Sequence, residues 1–408
     1  MEAYLDYSAT TRCSARVREI VLQTMDSAYG NPSSMHKKGV EAERYVKEAA
    51  QKIAKTLKVS EKEILFTSGG TESNNLALTG AAMAHRRTGN RLITTQIEHP
   101  SVYQTMEYLK QQGFEVIYLP VGPDGIVSQE ALYEAVNDQT ILVSVMQVNN
   151  ETGSVQPLGQ ISRILHQKNP KTLFHVDAVQ SYGKLRIRPK QLGIDLMSVS
   201  GHKIHGPKGV GFLYIREKTK IKPVMFGGGQ QSGLRSGTLN VPGIAGIGEA
   251  AAEAYEDFEQ KIAHLYRLKQ ELLAQTADID GIVYHGTAAP GMVSQEAVPG
   301  ESVFSQTDCD LTAGGSAPHI VNLSVPGVRS EVMLHALEDC GVYVSAGSAC
   351  SSSHPEPSRT LQALHLAPEL VESALRFSFG SDTKMEEIRY AAQKLSELAP
   401  KLRRYTRR

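Results

Sequence analysis

The sequence has few of the features that mark secreted or membrane-embedded chains. It contains only four cysteines in 408 residues, and no two of them have CxxC spacing. A chain of this length does not need disulfides to fold, so free thiols in a reducing compartment are expected. The first residues show neither the basic nor the apolar region of a signal peptide, and no apolar run is long enough to span a bilayer. We therefore expect a cytoplasmic protein without a membrane segment.

An excess of charge of either sign is also missing. Basic and acidic side chains number 43 each, which gives a formal net charge of zero. Neither a nucleic acid nor a membrane surface is therefore expected as the main partner. Hydrophobic residues (41%) and charged residues (21%) are as frequent as in ordinary globular proteins. The length exceeds the usual size of a single hydrophobic core and predicts two domains.

Apolar runs and helical spacings alternate along the first half of the chain. The predicted strands are residues 63–68, 91–97, 115–119, 140–148, 172–176 and 195–199, and the predicted helices between them include 101–112 and 158–167. The run at 140–148 is almost continuously apolar, which is typical of a buried parallel strand. Strands separated by helices predict an α/β domain with a parallel or mostly parallel sheet.

The second half of the sequence has a different texture. Residues 244–275 read as one long helix that leads into a second domain, and residues 286–318 are rich in Gly, Ser, Ala, Pro and Thr, which predicts a long loop or insertion. After it we predict strands at 319–324 and 342–345 and helices at 331–339 and 384–402.

Polar side chains follow several of the predicted strands. In an open α/β sheet, ligands bind at the carboxyl ends of the strands. Residues 68–73 place two glycines and several hydroxyls at a helix start, which can bind an anion or simply cap the helix. Asp177 follows the strand at 172–176, where it can contact a ligand or serve as the N-cap of the next helix.

Two further positions carry reactive side chains. Lys203 follows the strand at 195–199, where it can form a Schiff base or be an ordinary surface lysine. Cys350 lies in a small, polar stretch at 345–353. That setting suits an exposed nucleophile better than a structural cysteine, which normally has apolar neighbours.

Taken in order, these stretches and several others resemble the cysteine desulfurases, a group of class V, fold-type-I enzymes that use pyridoxal 5'-phosphate (PLP). The order and approximate spacing hold over nearly the whole chain. The motifs are YLDYSATT (4–11), GNPSS (30–34), FTSGGTESNN (66–75), EH (98–99), VNNE (148–151), HVDA (175–178), SGHKIHGPKG (200–209), RSGT (235–238), GSAC (347–350) and RFS (376–378).

The resemblance implies a fold and an assembly. The expected fold is that of the fold-type-I PLP-dependent transferases: an α/β protein whose large domain has a mostly parallel sheet flanked by helices, joined to a smaller α+β domain. We expect the large, PLP-binding domain at residues 15–258 and the small domain at 1–14 and 259–408, with Cys350 and Arg376 in the small domain. A homodimer with shared active sites is also implied.

The resemblance assigns roles around the cofactor. Lys203 should hold PLP covalently and later move the Cα proton of the substrate. Asp177 should pair with the pyridinium nitrogen, and His99 should stack on the ring and assist proton transfer. Gln180 should contact the phenolic oxygen. The phosphate should be bound by Gly70, Thr71, Ser200 and His202, and by Thr238 of the neighbouring subunit, and no metal site is expected.

The implied reaction removes sulfur from L-cysteine. Arg376 and Asn150 should hold the substrate carboxylate, for which a guanidinium is well suited. The Cys350 thiolate should take the sulfur, leaving L-alanine and a persulfide that passes to an acceptor protein. Cys350 is followed by Ser rather than the Thr of housekeeping iron–sulfur enzymes, and residues 286–318 add an insertion with Cys309. The acceptor therefore stays open between an iron–sulfur scaffold and a tRNA-thiolation enzyme.

Two alternatives compete with this interpretation. Another PLP enzyme of the same fold, such as a selenocysteine lyase or an aminotransferase, would not need Cys350. A non-catalytic sulfur-transfer scaffold would not need the cofactor-binding residues. The presence of Lys203, Asp177, His99 and Arg376 argues against the scaffold.

Overall fold

The computed structural model describes residues 1–288, 315–346 and 357–406. Its strands, in chain order, are β1 (Ala3–Tyr4), β2 (Ile64–Thr67), β3 (Arg91–Thr95), β4 (Glu115–Leu119), β5 (Thr140–Met146), β6 (Ser154–Val155), β7 (Leu173–Asp177), β8 (Leu196–Ser200), β9 (Gly211–Ile215), β10 (Val283–Tyr284), β11 (Gly315–Ser316), β12 (Ile320–Ser324), β13 (Val342–Tyr343), β14 (Ser345–Ala346) and β15 (Ala374–Ser378). Its helices are α1 (Ala15–Asp26), α2 (Lys37–Leu57), α3 (Gly70–His85), α4 (Pro100–Gln111), α5 (Gln129–Ala135), α6 (Leu158–Lys168), α7 (Val241–Tyr255), α8 (Phe258–Thr276), α9 (Ser330–Glu338), α10 (Arg359–Ala363), α11 (Pro368–Glu372) and α12 (Met385–Thr406).

Seven of the strands form a twisted sheet in the order β2-β9-β8-β7-β5-β3-β4. The five strands from β8 to β4 pair in parallel, whereas β9 runs antiparallel to both of its neighbours. This arrangement confirms the predicted mostly parallel sheet. All seven residues of β5 are buried, as expected for a central strand covered on both faces.

The hydrophobic core of this sheet has two layers. Leu213 of β9 packs with buried residues of α3 and α4, while its neighbours Phe212 and Tyr214 pack with residues of α2, α6 and α7. Because successive side chains of a strand point to opposite faces, the two clusters lie on the two sides of the sheet. Helices therefore flank the sheet on both sides, and the ends of its strands are left for a site.

A second, smaller sheet is antiparallel and has the order β10-β12-β15-β14. Its core is formed with α8, α9 and α12, and it includes Ala3 and Leu5 from the start of the chain. The amino terminus reaches this core because β1 pairs in parallel with β13. The exact division into domains at 15–258 and 259–408 stays a prediction.

Several elements differ from the sequence predictions. The stretch at 244–275 is not one helix: α7 and α8 are separated at Asp257, whose left-handed φ of 47° interrupts the helical path. The predicted strand at 342–345 is two short strands, β13 and β14, which belong to different sheets. Helix α1 and strand β9 were not predicted. Most of the predicted insertion, with Cys309, lies outside the described residues. In the described part of the chain, no helix has the length and apolar character needed to cross a membrane.

Candidate active site

The carboxyl ends of β7 and β8 bring two predicted site residues together. Asp177 is the last residue of β7, and β8 ends at Ser200, directly before a 3-10 turn at Gly201–Lys203. Because the two strands are parallel neighbours, with Asp177 opposite Ser198, both strand ends lie at one edge of the sheet. The structure therefore places Asp177 and Lys203 where an open α/β sheet binds ligands.

Asp177 is held rigidly in this position. Asp177 is buried, with only 5% of the residue exposed to solvent. Asn74 of α3 donates a hydrogen bond to Oδ2 at 2.8 Å, and the Val179 amide donates to Oδ1 at 3.0 Å. No α-helix follows Asp177 within the described residues before α7, so the carboxylate is not a helix N-cap. Its oxygens keep lone pairs for a further donor.

Lys203 is a partly buried residue whose amine faces the start of the chain. Its Nζ donates to the carbonyl oxygens of Ser8 at 2.5 Å and Ala9 at 2.7 Å. Burial lowers the pKa of Lys203 to about 7, and the positive charge of Arg376 acts in the same direction. The amine therefore loses its proton far more readily than an ordinary lysine, as a Schiff-base lysine requires.

A second lysine supports the backbone of Lys203. Nζ of Lys184 donates to the carbonyl oxygen of Lys203 at 2.5 Å. Burial lowers the pKa of Lys184 to about 8, and its charge contributes to the lowered pKa of Lys203. Lys184 could not be singled out from the sequence, because its role depends on a contact with the backbone of Lys203 that only the fold creates.

His99 is the N-cap residue of α4 and lies near the same edge. Its Nδ1 accepts a hydrogen bond from the Ser101 amide at 3.1 Å and lies 2.8 Å from the Ser101 hydroxyl. Nδ1 is therefore an acceptor, which leaves the proton of the neutral ring on Nε2. Burial lowers the pKa of His99, and the charges of Asp177 and Lys203 both act on it. The ring is neutral near pH 7.

The amino-terminal segment, residues 6–11, lines the site opposite the strand ends. The Ser8 carbonyl accepts from Gln180 Nε2 at 2.9 Å as well as from Lys203. Thr10 Oγ1 lies 3.2 Å from Nδ1 of His202, and burial lowers the pKa of that ring to about 4. The motif at 4–11 is part of the family resemblance, which assigns no role to any of its residues.

Three of the expected phosphate-binding residues, Gly70, Thr71 and Ser200, lie at the start of α3. Gly70 is its first residue, and a Cβ there would lie 2.7 Å from Cγ2 of Val179, next to Asp177. Thr71 is exposed in the first turn, and Ser200 is buried beside Gly69. Free amide groups and the helix dipole favour an anion at this position.

Thr238 does not join this group within one chain. It is exposed, and in the described part of the chain its side chain makes no hydrogen bond to the other predicted site residues. It lies in the segment between β9 and α7, which also exposes Met225 (42%) and Phe226 (81%).

Arg376 reaches the site from the second sheet. It lies in β15, and its Nη1 donates to the carbonyl oxygen of Asn150 at 3.0 Å. Its Nη2 donates to Asp6 Oδ1 at 2.9 Å and to Ser345 Oγ at 2.8 Å. The structure thus places the Arg376 guanidinium against the backbone of Asn150, and their role in holding a carboxylate stays a prediction. Cys350 lies outside the described residues, beyond the end of β14.

The chemistry of these groups fits PLP. An aldehyde needs an amine that can be neutral at pH 7, a pyridinium nitrogen needs a fixed carboxylate, and a phosphate needs free amide groups without a side chain in the way. Lys203, Asp177 and the start of α3 at Gly70 offer these three features at one edge of the sheet.

The chain is similar to a known family and to curated relatives over nearly its whole length. A family model described as "Aminotransferase class-V" matches residues 3–297 and 305–390. The "Putative cysteine desulfurase IscS 1" of Bacillus subtilis is 40% identical over 400 residues, which covers 98% of this chain and 99% of the relative. The "Cysteine desulfurase IscS" of Klebsiella pneumoniae is 42% identical over 405 residues, covering 98% and 93%.

Solved structures give the same picture. A structure titled "NIFS-LIKE PROTEIN" superposes with a TM-score of 0.86 at 37% identity, covering 98% of this chain and 99% of the other. DndA from Streptomyces lividans superposes with a TM-score of 0.73 at 40% identity, covering 92% and 99%. The chain belongs to the cysteine desulfurases within the class-V aminotransferase family.

Proposed function

We propose that this protein is a PLP-dependent cysteine desulfurase, which converts L-cysteine to L-alanine and keeps the sulfur as a persulfide on Cys350. The observation that carries the proposal is the meeting of three groups at one place. A lysine amine with a pKa of about 7 and a buried carboxylate stand at the strand ends, and the Arg376 guanidinium approaches from the second sheet. An amine, a ring-nitrogen partner and a carboxylate receptor are what an α-amino acid substrate of PLP requires.

Each residue near the cofactor has one task. Bound PLP supplies an electron sink for the negative charge that develops at the substrate Cα. Asp177 would keep the ring nitrogen protonated, and Gln180 would donate to the phenolic oxygen. His99 would lie against the ring with its Nε2 proton available. The phosphate would be held by Gly70, Thr71, Ser200 and His202, and by Thr238 of a second subunit.

Lys203 acts as the base once its amine is released by the substrate. A neutral amine can take the Cα proton and later return a proton to the product. Its contacts with the Ser8 and Ala9 carbonyls give the free amine a defined resting position. Arg376 orients the substrate through its carboxylate, together with Asn150.

Sulfur transfer is assigned to Cys350. Its thiolate attacks the sulfur of the substrate, so that an S–S bond forms while the C–S bond breaks. The electron pair of the broken bond stays with the carbon, which takes up a proton and becomes the methyl group of alanine. Thiolate chemistry of this kind suits the reducing cytoplasm, where we place the protein.

A homodimer and an acceptor protein complete the proposal. The exposed apolar residues Met225 and Phe226 share a loop with Thr238, as expected if this loop is covered by a second subunit that receives Thr238 in its site. The persulfide would then pass to a thiolate of an acceptor protein, either an iron–sulfur scaffold or a tRNA-thiolation enzyme.

Single-turnover formation of alanine from L-cysteine, without reductant, tests the proposed function. Wild type should form stoichiometric alanine and a labile sulfur on Cys350, while Cys350→Ala should bind PLP and cysteine but form no alanine. Cys340→Ala is a matched control, because Cys340 is a partly buried free thiol at the end of α9 and should behave as wild type. If Cys350→Ala forms alanine at the wild-type rate, the protein is a lyase that does not use this thiol. Conversion of PLP to its amine form would instead indicate an aminotransferase.

A further inference from the structure

The guanidinium of Arg376 already has an anionic partner from its own chain. Its Nη2 donates to Oδ1 of Asp6 at 2.9 Å and to Oγ of Ser345 at 2.8 Å. The Ser345 hydroxyl in turn donates to Asp6 Oδ1 at 2.7 Å. The three side chains thus form a closed triangle of contacts. It is well shielded, since the side chains of Arg376 and Asp6 are only 11% and 19% exposed.

The three members come from distant parts of the chain. Ser345 lies opposite Arg376 in the pairing of β14 with β15. Asp6 belongs to the amino-terminal segment that also supplies the Ser8 and Ala9 carbonyls to Lys203. A bridge connects Asp6 with Ser378, two residues beyond Arg376 in the same strand. Asp6 is therefore fixed beside the guanidinium by the backbone as well as by its carboxylate.

The two contacts at Nη2 restrict how Arg376 can bind another carboxylate. A carboxylate binds an arginine through two parallel N–H groups, taken either from Nε and Nη2 or from Nη1 and Nη2. Both pairs include Nη2. Asp6 and Ser345 accept both hydrogens of Nη2. Each of the two N–H pairs therefore has one N–H group that is already in use. Nε is buried and has no hydrogen-bond partner among the residues that the structure describes. A substrate carboxylate therefore cannot bind through two N–H groups until one of these contacts is released.

We propose that Asp6 is an internal competitor for the substrate carboxylate, which orients Arg376 in the absence of substrate and gives up Nη2 when an amino acid binds. The proposal rests on the role of Arg376 in the proposed function and deepens it. Asp6 offsets the buried positive charge while no ligand is present. Once the ligand is bound, two carboxylates share one guanidinium, and their repulsion weakens binding. The competition should therefore apply to every ligand with a free α-carboxylate, the product L-alanine included, and it should speed product release.

The test compares ligands with and without a carboxylate. Asp6→Asn keeps the shape of the side chain and replaces an ion pair with a weaker hydrogen bond in which only the guanidinium is charged. The dissociation constant of L-alanine, measured from the absorbance of the PLP-loaded protein, should fall roughly three- to tenfold in this variant. The dissociation constant of L-alanine methyl ester should not change. KM for L-cysteine should fall as well, without an increase in kcat.

A second variant keeps the test decisive if Asp6→Asn does not fold. Ser345→Ala frees one hydrogen of Nη2 and should tighten L-alanine binding by a smaller factor, about two- to threefold, again with no effect on the methyl ester. Asp6→Glu retains the charge and should stay within about twofold of wild type for L-alanine. The melting temperature of each variant reports separately on its fold.

Other outcomes would overturn the proposal. If Asp6→Asn binds L-alanine as wild type does, or more weakly, Asp6 only supports the structure around Arg376. If wild type binds L-alanine and its methyl ester equally well, Arg376 does not receive the carboxylate at all. Failure of the desulfurase function itself would be seen elsewhere, as absence of alanine formation in the single-turnover experiment with L-cysteine.

Discussion

Two lysines of this protein, Lys203 and Lys269, have similarly lowered pKa values but different surroundings. Burial lowers the pKa of both Lys203 and Lys269 to about 7. Each donates hydrogen bonds to the backbone, Lys203 to two carbonyls and Lys269 to the carbonyl of Ala317 at 2.8 Å. Lys269, however, is 1% exposed in the middle of α8, where burial is the only cause of its shift.

Lys203 differs by its position in the fold. It follows a parallel strand at the edge of the sheet where ligands bind, and the charges of Arg376, Asp6, Lys184 and Asp177 all act on it. A lowered pKa therefore shows that an amine is desolvated, and only the topology shows whether a substrate can reach it. Lys203 is a candidate catalytic residue, whereas Lys269 is buried in α8, where it contacts Ser316 and Ala317.

The largest expected effect is the difference in activity between a variant of Lys203 and a variant of Lys269. Lys203→Ala should lower alanine formation by about a thousandfold or more, because it removes both the attachment of PLP and the base. Lys269→Met should keep most of the activity, since its side chain contacts Ser316 and Ala317 rather than the site. Single-turnover assays on both variants check this. A comparable loss in Lys269→Met, at unchanged melting temperature, would contradict the distinction.

A smaller effect concerns the pH dependence of PLP loading. The neutral amine of Lys203 is the form that reacts, and its pKa is about 7. The loading rate of the apoprotein should therefore rise about tenfold per pH unit below pH 7 and level off about one unit above it. Stopped-flow absorbance at constant ionic strength measures the profile. Lys184→Met should move its midpoint upward, because the charge of Lys184 contributes to the lowered pKa. Lys269→Met should leave it in place, and a shift there would show that the two amines are coupled.

The smallest effect concerns stability. The pKa of Lys269 is about 7 in the folded protein and 10.5 when unperturbed. Between these values the unfolded chain binds more protons than the folded one, so the free energy of unfolding rises with pH. The slope contributed by this one group is at most about 1.4 kcal/mol per pH unit. Urea unfolding of wild type and Lys269→Met between about pH 7 and 9 measures it. Equal slopes in the two proteins would mean that Lys269 is not desolvated.

The sequence alone predicts those parts of the site that depend on neighbouring residues in the chain. Lys203 and Asp177 could be singled out because each directly follows an apolar run, and an α/β sheet collects such strand ends. The mostly parallel sheet followed from the same alternation. Strand β9 escaped this reasoning, since its antiparallel pairing with β2 and β8 is not visible in a short apolar run.

Other features depend on contacts between distant residues. Nothing in the sequence around Asp6 or Ser345 indicates that both contact Arg376, since these residues are brought together only by the pairing of β14 and β15 and the docking of the amino-terminal segment. The break between α7 and α8 was missed for a different reason. Both halves are helical in character, and the left-handed residue between them, Asp257, is not the glycine that such a conformation favours.

The path of the amino-terminal segment has a practical consequence. Deleting residues 1–11 would remove no strand of the seven-stranded sheet, and the truncated chain would keep both of its large helical layers. It would nevertheless lose the carbonyls that receive Lys203 and Gln180, and the carboxylate that faces Arg376. The carbonyl of Met1 would also lie only 2.7 Å from a Cβ built on Gly341, so the chain start is closely packed. A change at this end should therefore disturb both the site and the core of the second sheet, because that core includes Ala3 and Leu5.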